Sequence, residues 1–312
     1  MIRRFSPAKI NLLLRVGSRL PSGYHQLETV MIPLSLGDGL AVCHKPDGVS
    51  LEIVERYDFS GNTDSVSKIP TDERNLIVRI ARGFLEHCGI STGVHFQLQK
   101  SIPAGGGLGG ASSNAAATLL LLNELFELNW TWEQLAQFSA NYGSDIAFFT
   151  QPHAAVCSGR GEIVAPFDCP NRIWFVIVRP PFGLSTPAVF AELAKARTGG
   201  QQPGHDTDFA AEFSQLIEAL NCGITSDVFG SSSNDLQKPA LKIRPELDRV
   251  RRCCEASHPL TQSMTGSGSS WYAGFRHRRQ AVWASNRFKG RLAMRVDVAN
   301  STATRCSNKG QQ

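Results

Sequence analysis

The chain has 312 residues, 42% hydrophobic and 19% charged, enough for one large domain or two ordinary ones and too apolar for global disorder. Its formal charge is +5, from 32 basic and 27 acidic residues, and no run approaches the roughly 18 to 20 apolar residues that span a bilayer. Arg3 and Arg4 are followed by neither the apolar run nor the small-residue cleavage site of a signal peptide, so a cytoplasmic protein is expected, with no membrane partner.

Ile10, Leu12, Leu14 and Val16 alternate with Asn11, Leu13 and Arg15 at strand spacing, and Gly17 to Gly23 reads as a turn-rich loop. Val30 to Leu36 and Leu40 to Cys43 read as two strands separated by Gly37-Asp38-Gly39, and the polar stretch Asp58 to Asp72 as a loop. Leu76, Ile77, Ile80, Ala81, Phe84 and Leu85 predict a helix over Asn75 to Cys88, with Gly89 placed to end it. Val94, Phe96 and Leu98 mark a half-buried strand that leads into Pro103-Ala104-Gly105-Gly106-Gly107-Leu108-Gly109-Gly110-Ala111-Ser112-Ser113-Asn114. A helix is expected over Ser112 to Leu128 and another over Trp132 to Ala140, with Thr131 as its N-cap.

Val156 to Val164 reads as two short strands around the Ser158-Gly159-Arg160-Gly161 turn, and Ile173 to Val178 as a strand buried on both faces. Thr198 to Asp208 reads as an exposed loop. Leu236 to Glu255 is helical in parts, interrupted at Pro239 and Pro245. After the turn Thr265-Gly266-Ser267-Gly268, Trp271, Ala273 and Phe275 resume strand alternation, and the chain ends strand, helix, strand. No internal repeat occurs. The class is α+β, in two halves that meet between about 150 and 170, assigned as 1–165 and 166–312.

The eight cysteines form no Cys-x-x-Cys pair and the eight histidines show no metal spacing, so neither disulfides nor structural zinc are expected. The basic residues of the end, Arg276-His277-Arg278-Arg279 with Arg287, Lys289, Arg291 and Arg295, could touch nucleic acid. No nucleic-acid motif accompanies them, and a solvated face is the preferred reading, with no nucleic-acid partner.

The segment Gly105-x-Gly107-x-x-Gly110 matches the dinucleotide fingerprint, but the acidic residues that follow, Glu124 and Glu127, lie within a predicted helix and not at the end of a second strand. A Walker A loop is excluded because Ala111-Ser112 stands where Lys-Ser/Thr is required. What remains is a glycine loop opening a helix. Glycines let backbone approach a ligand closely, and the free N–H groups and dipole of the helix start favour an anion. A tight turn with ordinary serine caps would also satisfy the pattern. Lys9 and Asn11, two apart on a strand, share one face about 7 Å apart, as a site pair or as part of a solvated edge. Asp145, in Gly143-Ser144-Asp145, fits a helix cap or turn as well as a catalytic carboxylate.

Four segments in order resemble the GHMP kinases: Ser6-Pro7-Ala8-Lys9-Ile10-Asn11-Leu12, Gly23-Tyr24-His25, Gly105 to Ala116, and Met264-Thr265-Gly266-Ser267-Gly268. Within that family they are most similar to the branch acting on a cytidine diphosphate-linked methylerythritol. The resemblance implies a two-domain enzyme, with a ribosomal protein S5 domain 2-like N-terminal domain, a ferredoxin-like C-terminal domain and the site between them. It implies ATP with Mg²⁺, bound by Pro103, Ala104, Gly105, Gly106, Gly107, Leu108, Gly109, Gly110, Ala111, Ser112 and Ser113, in a monomer or homodimer. Lys9 and Asp145 become the catalytic pair. Asn11, Tyr24, His25, Thr186 and Phe190 become substrate contacts, with Tyr24 and Phe190 sandwiching a cytosine. No residue is an obvious metal ligand. Ala104 and Ala111 depart from the family pattern without removing an N–H. A homoserine or mevalonate kinase, or a nucleotide-binding regulator without catalysis, remains the rival.

Overall fold

The computed structural model describes residues 1–21, 23–54, 69–198, 209–222 and 232–302. The expected loop at 198–208, except Thr198, which ends a helix, and most of that at 58–72 lie outside them, as do Ser22 and Cys306.

Strands β1 (Ile2–Arg19) and β2 (His25–Lys45) pair antiparallel along nearly their whole length. The other edge of β2 carries β4 (Gly93–Gln99) and β5 (Ala155–Ser158), with β3 (Val49–Val54) parallel to β4 and β6 (Ile163–Pro166) beyond β5. The supposed loop from Gly17 is shorter, because β1 continues to Arg19. Nor do Gly37-Asp38-Gly39 split β2: they pair with Pro7, Ser6 and Phe5. A Cβ on Gly37 would lie 2.4 Å from the Phe5 ring, so that glycine makes room for an aromatic and not for a turn.

Helices α1 (Leu76–His87), α2 (Gly110–Leu125), α3 (Trp132–Ser139) and α4 (Ile146–Thr150) accompany this sheet. The Asn75 side chain caps α1 by accepting from Ile77 N, and Thr131 opens α3 with a capping box completed by Gln134. Helix α2 starts earlier and ends sooner than expected. Phe84, Phe96, Leu119, Leu122 and Phe148 fill the core between helices and sheet.

The second sheet has the order β10-β7-β9-β8, antiparallel throughout, from β7 (Trp174–Arg179), β8 (Thr261–Met264), β9 (Trp271–Phe275) and β10 (Arg295–Asn300). Between β7 and β8 lie α5 (Thr186–Thr198), α6 (Phe209–Cys222), α7 (Gln237–Ile243) and α8 (Leu247–Glu255), and α9 (Arg278–Arg291) joins β9 to β10. Strand, helices, two strands, helix and strand in this order make the ferredoxin-like arrangement. Pro239 does not interrupt α7, because it sits in the first turn, where its missing N–H has no intrahelical partner to lose. Pro245 separates α7 from α8, as expected.

Ile10, Leu12, Ile32 and Leu34 of the first sheet share a core with Phe175, Ile177 and Tyr272 of the second. This explains why β1 is buried from Ser6 to Leu14 and not on one face only. A register shift between Asn11 and Leu13 lets Leu12 and Leu13 both enter that core. Cys43, Cys88, Cys157, Cys169, Cys253 and Cys254 are free thiols, and among the described residues no helix is long and apolar enough to cross a membrane.

Candidate active site

A cavity of about 790 Å³ is lined by residues of both halves. It brings together Lys9, Asn11, Tyr24, His25, the loop from Pro103 to Ser112, Asp145, Thr186 and Phe190. Of the residues singled out from the sequence, Ser113 alone is not brought there. One step along α2 rotates a side chain by about 100°, which turns Ser113 inward, where its hydroxyl accepts from Ser6 Oγ at 2.8 Å.

The glycine loop is left-handed at alternate positions, with φ of +70° at Gly105, +74° at Gly107 and +71° at Gly109. Two of these glycines also meet close neighbours. A Cβ on Gly107 would lie 2.1 Å from Thr265 O, and one on Gly109 would lie 2.8 Å from the Phe149 ring and 3.0 Å from Lys9 Cγ. The loop thus packs backbone to backbone against the Thr265–Gly268 turn of the second half. Helix α2 starts with no side-chain cap and no acidic residue in its first turn, which leaves the dipole at its start uncompensated by side chains.

Asp38 anchors the chain where β4 enters this loop. Its carboxylate accepts from Ser101 N at 2.6 Å, Ile102 N at 2.8 Å and Lys100 Nζ at 2.5 Å, while Arg179 donates to Ser101 O at 2.8 Å. Burial pushes the Lys100 ammonium below its usual pKa, and the Asp38 carboxylate opposes that shift. Sequence reading missed Asp38 because its flanking glycines imitate a turn. The signal was a carboxylate in a run of apolar strand residues.

Lys9 is 3% exposed. Its backbone N donates to Leu108 O at 3.0 Å, and its Nζ donates to Asn11 Oδ1 at 2.6 Å and stands 3.7 Å from Asp145 Oδ2. Asp145 precedes α4 but makes no capping bond to it. Its carboxylate faces the lysine. Both polar atoms of the Asn11 side chain are engaged: Nδ2 donates to Thr29 Oγ1 at 2.8 Å, and Oδ1 also accepts from Gly266 N at 2.9 Å and Thr265 Oγ1 at 3.2 Å. Cys157 lies near both charges, and burial first, then Asp145, push its thiol far up, so it is no nucleophile.

Beyond Asp145 the cavity leads to aromatic groups. Asp145 Oδ1 lies 3.5 Å from where a Cβ on Gly161 would sit, and the neighbouring Arg160 guanidinium is 5.4 Å from the Tyr24 ring centroid. Tyr24 is 60% exposed. His25 stacks on Phe190 with centroids 5.2 Å apart and planes at 26°. Among the described ring contacts Phe190 therefore pairs with His25, and Tyr24 with Arg160. Burial, then Arg197 and Arg19, hold the His25 imidazole below its usual pKa. Thr186 and Ser267 share a hydroxyl bond of 2.7 Å, joining α5 to the second glycine turn. At the other end of the loop, where Lys100 Nζ approaches Gly110, the lining is Ile69, Pro70, Asn75, Leu76 and Leu98. Sequence reading gave Arg160 and Lys100 no role, since strand and turn patterns do not reveal which way they point.

Residues 75–153 match the model of the GHMP kinases N terminal domain. A 4-diphosphocytidyl-2-C-methyl-D-erythritol kinase of Paraburkholderia phymatum is 37% identical over 279 residues, 89% of this chain and 87% of its own. That of Nocardia farcinica is 35% identical over 263 residues, 84% of this chain and 81% of its own. The crystal structure of a 4-(cytidine 5'-diphospho)-2C-methyl-D-erythritol kinase matches with a TM-score of 0.75 at 29% identity, covering 96% of this chain and 98% of that one. An L. major mevalonate kinase in complex with R-mevalonate shares the fold alone, with a TM-score of 0.74 at 16% identity over 98% of this chain and 97% of its own. Sequence likeness along most of the chain and agreement of the fold lead to one conclusion: the chain belongs to the GHMP kinases, in the family of the 4-diphosphocytidyl-2-C-methyl-D-erythritol kinases.

Proposed function

We propose that this protein transfers the γ-phosphoryl group of ATP to the 2-hydroxyl of 4-diphosphocytidyl-2-C-methyl-D-erythritol, a step of the non-mevalonate route to isopentenyl diphosphate, in the cytoplasm. The observation that carries the reading is the Lys9–Asp145 pair, 3.7 Å apart, between a glycine loop and an aromatic pocket. Asp145 accepts the proton of the attacking hydroxyl, a contribution of roughly 10² to 10⁴ in rate. Lys9 stabilises the charge that develops on the oxygen. As the new O–P bond forms, the bond from the γ-phosphorus to the bridging oxygen breaks and ADP leaves.

Phosphoryl transfer needs mainly positioning and charge neutralisation, which suits a loop of free N–H groups at a helix start. The cytidine end of the substrate lies at Tyr24, His25, Thr186 and Phe190. The ATP nucleoside lies at the opposite end, against Asn75, Leu76 and Lys100. Asn11 acts from behind Lys9. The two domains divide at about residues 165/166.

Among the described residues no cluster of three His, Cys, Asp or Glu side chains could hold a metal. Mg²⁺ does not need one, since it arrives on phosphates and takes only one or two protein oxygens. The Ser112 hydroxyl at the start of α2 is suited to supply one, and the ion would neutralise phosphate charge.

The test is a coupled ADP-release assay with the cytidyl alcohol, homoserine and mevalonate, on the native protein and Asp145→Asn. Turnover with the cytidyl alcohol is expected, falling at least about a hundredfold in the variant. Preference for another alcohol refutes the substrate, and an unchanged variant refutes the base.

A further inference from the structure

The segment Ser233-Asn234-Asp235 lies outside the catalytic pair, yet it touches three parts of the site at once. Its backbone runs beside β1: Leu14 N donates to Ser233 O at 2.9 Å, and Asp235 N donates to Leu14 O at 3.1 Å. Asn234 is 6% exposed, and each polar atom of its side chain is used. Nδ2 donates to Met264 O and to Gly266 O, both at 2.8 Å, while Oδ1 accepts from Leu236 N at 2.9 Å.

Gly266 is consequently gripped from two sides. Asn234 holds its carbonyl, and Asn11 Oδ1 holds its N–H. The same Asn11 oxygen receives Lys9 Nζ. One residue of the second half is thus linked, through a single glycine and a single asparagine, to the ammonium beside Asp145. Gly266 has φ of +56°, and a Cβ there would lie 3.1 Å from Gly107 O and 3.4 Å from Lys9 Nζ. A small displacement of this glycine is therefore felt by both the loop and the lysine.

Asp235 performs a parallel task for the substrate pocket. Its Oδ2 accepts from Val16 N at 2.9 Å and lies 3.5 Å from Arg197, and its Oδ1 accepts from Arg15 at 3.0 Å. Arg197 belongs to α5 and also donates to Val16 O at 2.6 Å and Gly17 O at 3.2 Å. Helix α5 is the element that carries Thr186 and Phe190.

We propose that Asn234 and Asp235 are a pair of positioning residues with separate targets: Asn234 sets Lys9 through Gly266 and Asn11, and Asp235 sets the α5 wall of the alcohol-substrate pocket through Arg197. The inference rests on the phosphoryl-transfer reading above and adds the residues that align it. It predicts a division of kinetic effects that a general structural role would not produce.

Asn234→Asp keeps the size and the acceptor for Leu236 N but sets an oxygen against two carbonyl oxygens. Its kcat is expected to fall about ten- to a hundredfold, with both KM values within about threefold of native. Asp235→Asn is expected to raise KM for the cytidyl alcohol about fivefold while kcat stays within about twofold. Asn11→Ala combined with Asn234→Asp should lose no more kcat than the worse single variant, because both act through one peptide. In the native protein the Gly266 amide should be protected, and hydrogen exchange followed by NMR should show it exchanging at least about tenfold faster in Asn234→Asp.

Circular dichroism melts identify variants that fail to fold. Should Asn234→Asp be one, Asn234→Gln, which moves the amide by one methylene, is read in its place with the same split expected. Multiplicative losses in the double variant, an unchanged kcat in a folded Asn234 variant, an unchanged Gly266 amide, or an unchanged alcohol KM in Asp235→Asn each overturn the part of the proposal they address. A native protein inactive on the cytidyl alcohol refutes the substrate reading, while the amide-exchange arm still decides the Asn234 relay.

Discussion

Replacing Asp38 by Asn tests how the glycine loop is held. The substitution preserves shape, and an amide oxygen can still accept from Ser101 N and Ile102 N, so the backbone bonds at the loop entrance can persist. What is lost is the charge facing Lys100 at 2.5 Å, from a carboxylate whose side chain is fully buried. Removing one partner of a buried ion pair costs about 3 to 5 kcal/mol, because the remaining charge is left uncompensated. At about 1.5 °C per kcal/mol for a protein of this size, Tm should drop by about 4 to 8 °C.

The loss should depend on pH in a definite direction. Burial already lowers the pKa of Lys100, and Asp38 is the group that opposes this. Without Asp38 the folded-state pKa lies still further below the unfolded value of about 10.4. Between those two values the unfolded chain holds more protons, so stability rises with pH there. The variant should therefore be furthest below native at pH 6 and closer to it at pH 9. Thermal melts of both proteins at the two pH values measure this. A Tm within about 2 °C of native, or a deficit that grows toward pH 9, would refute the buried-pair account. The double variant Asp38→Asn with Lys100→Met, which removes both charges and keeps the acceptor for Ser101 N and Ile102 N, should lie nearer native than Asp38→Asn alone.

Gly107→Ala should cost about 1 to 2 kcal/mol from its left-handed backbone, before the contact of its Cβ with Thr265 O is counted. Because that contact pushes the two glycine turns apart, ATP turnover should fall at least about tenfold in kcat/KM, and a variant with native kinetics would show that the turns do not need their close approach. The His25 ring, followed by NMR, should titrate below 6.5, since burial, Arg197 and Arg19 all disfavour its charged form. A midpoint above 6.5 would contradict the burial of the ring beside Arg197 and Arg19. As pH falls through about 6.5, the unfolded chain takes the proton first, so His25 removes stability toward acid.

Much of the molecule was legible in local patterns. Period-two and helical spacing located β4, α1 and β9, a continuous apolar run located β7, and Thr131 announced the start of α3. The glycine loop could be read as an anion cradle from its residue types and place before a helix. These features depend on backbone conformation and short-range hydrogen bonds, which a few neighbouring residues decide.

Other features have no local cause. Gly37-Asp38-Gly39 became strand because Phe5 needed the space and the loop entrance needed a carboxylate. Burial of β1 on both faces required the second sheet. Ser113 turned away from the cavity because α2 packs that side against Ser6. By itself the sequence determined most of the elements and an anion-binding type of loop through residue types whose chemistry is local, and the kinase family through the resemblance of four segments. Only the tertiary structure decided that Lys9 meets Asp145, that two glycine turns press together, and that Asn11 and Asn234 hold Gly266 between them. Such contacts join residues remote in the chain, and their geometry is set by the packing of two sheets on one shared core, which no short stretch of sequence encodes.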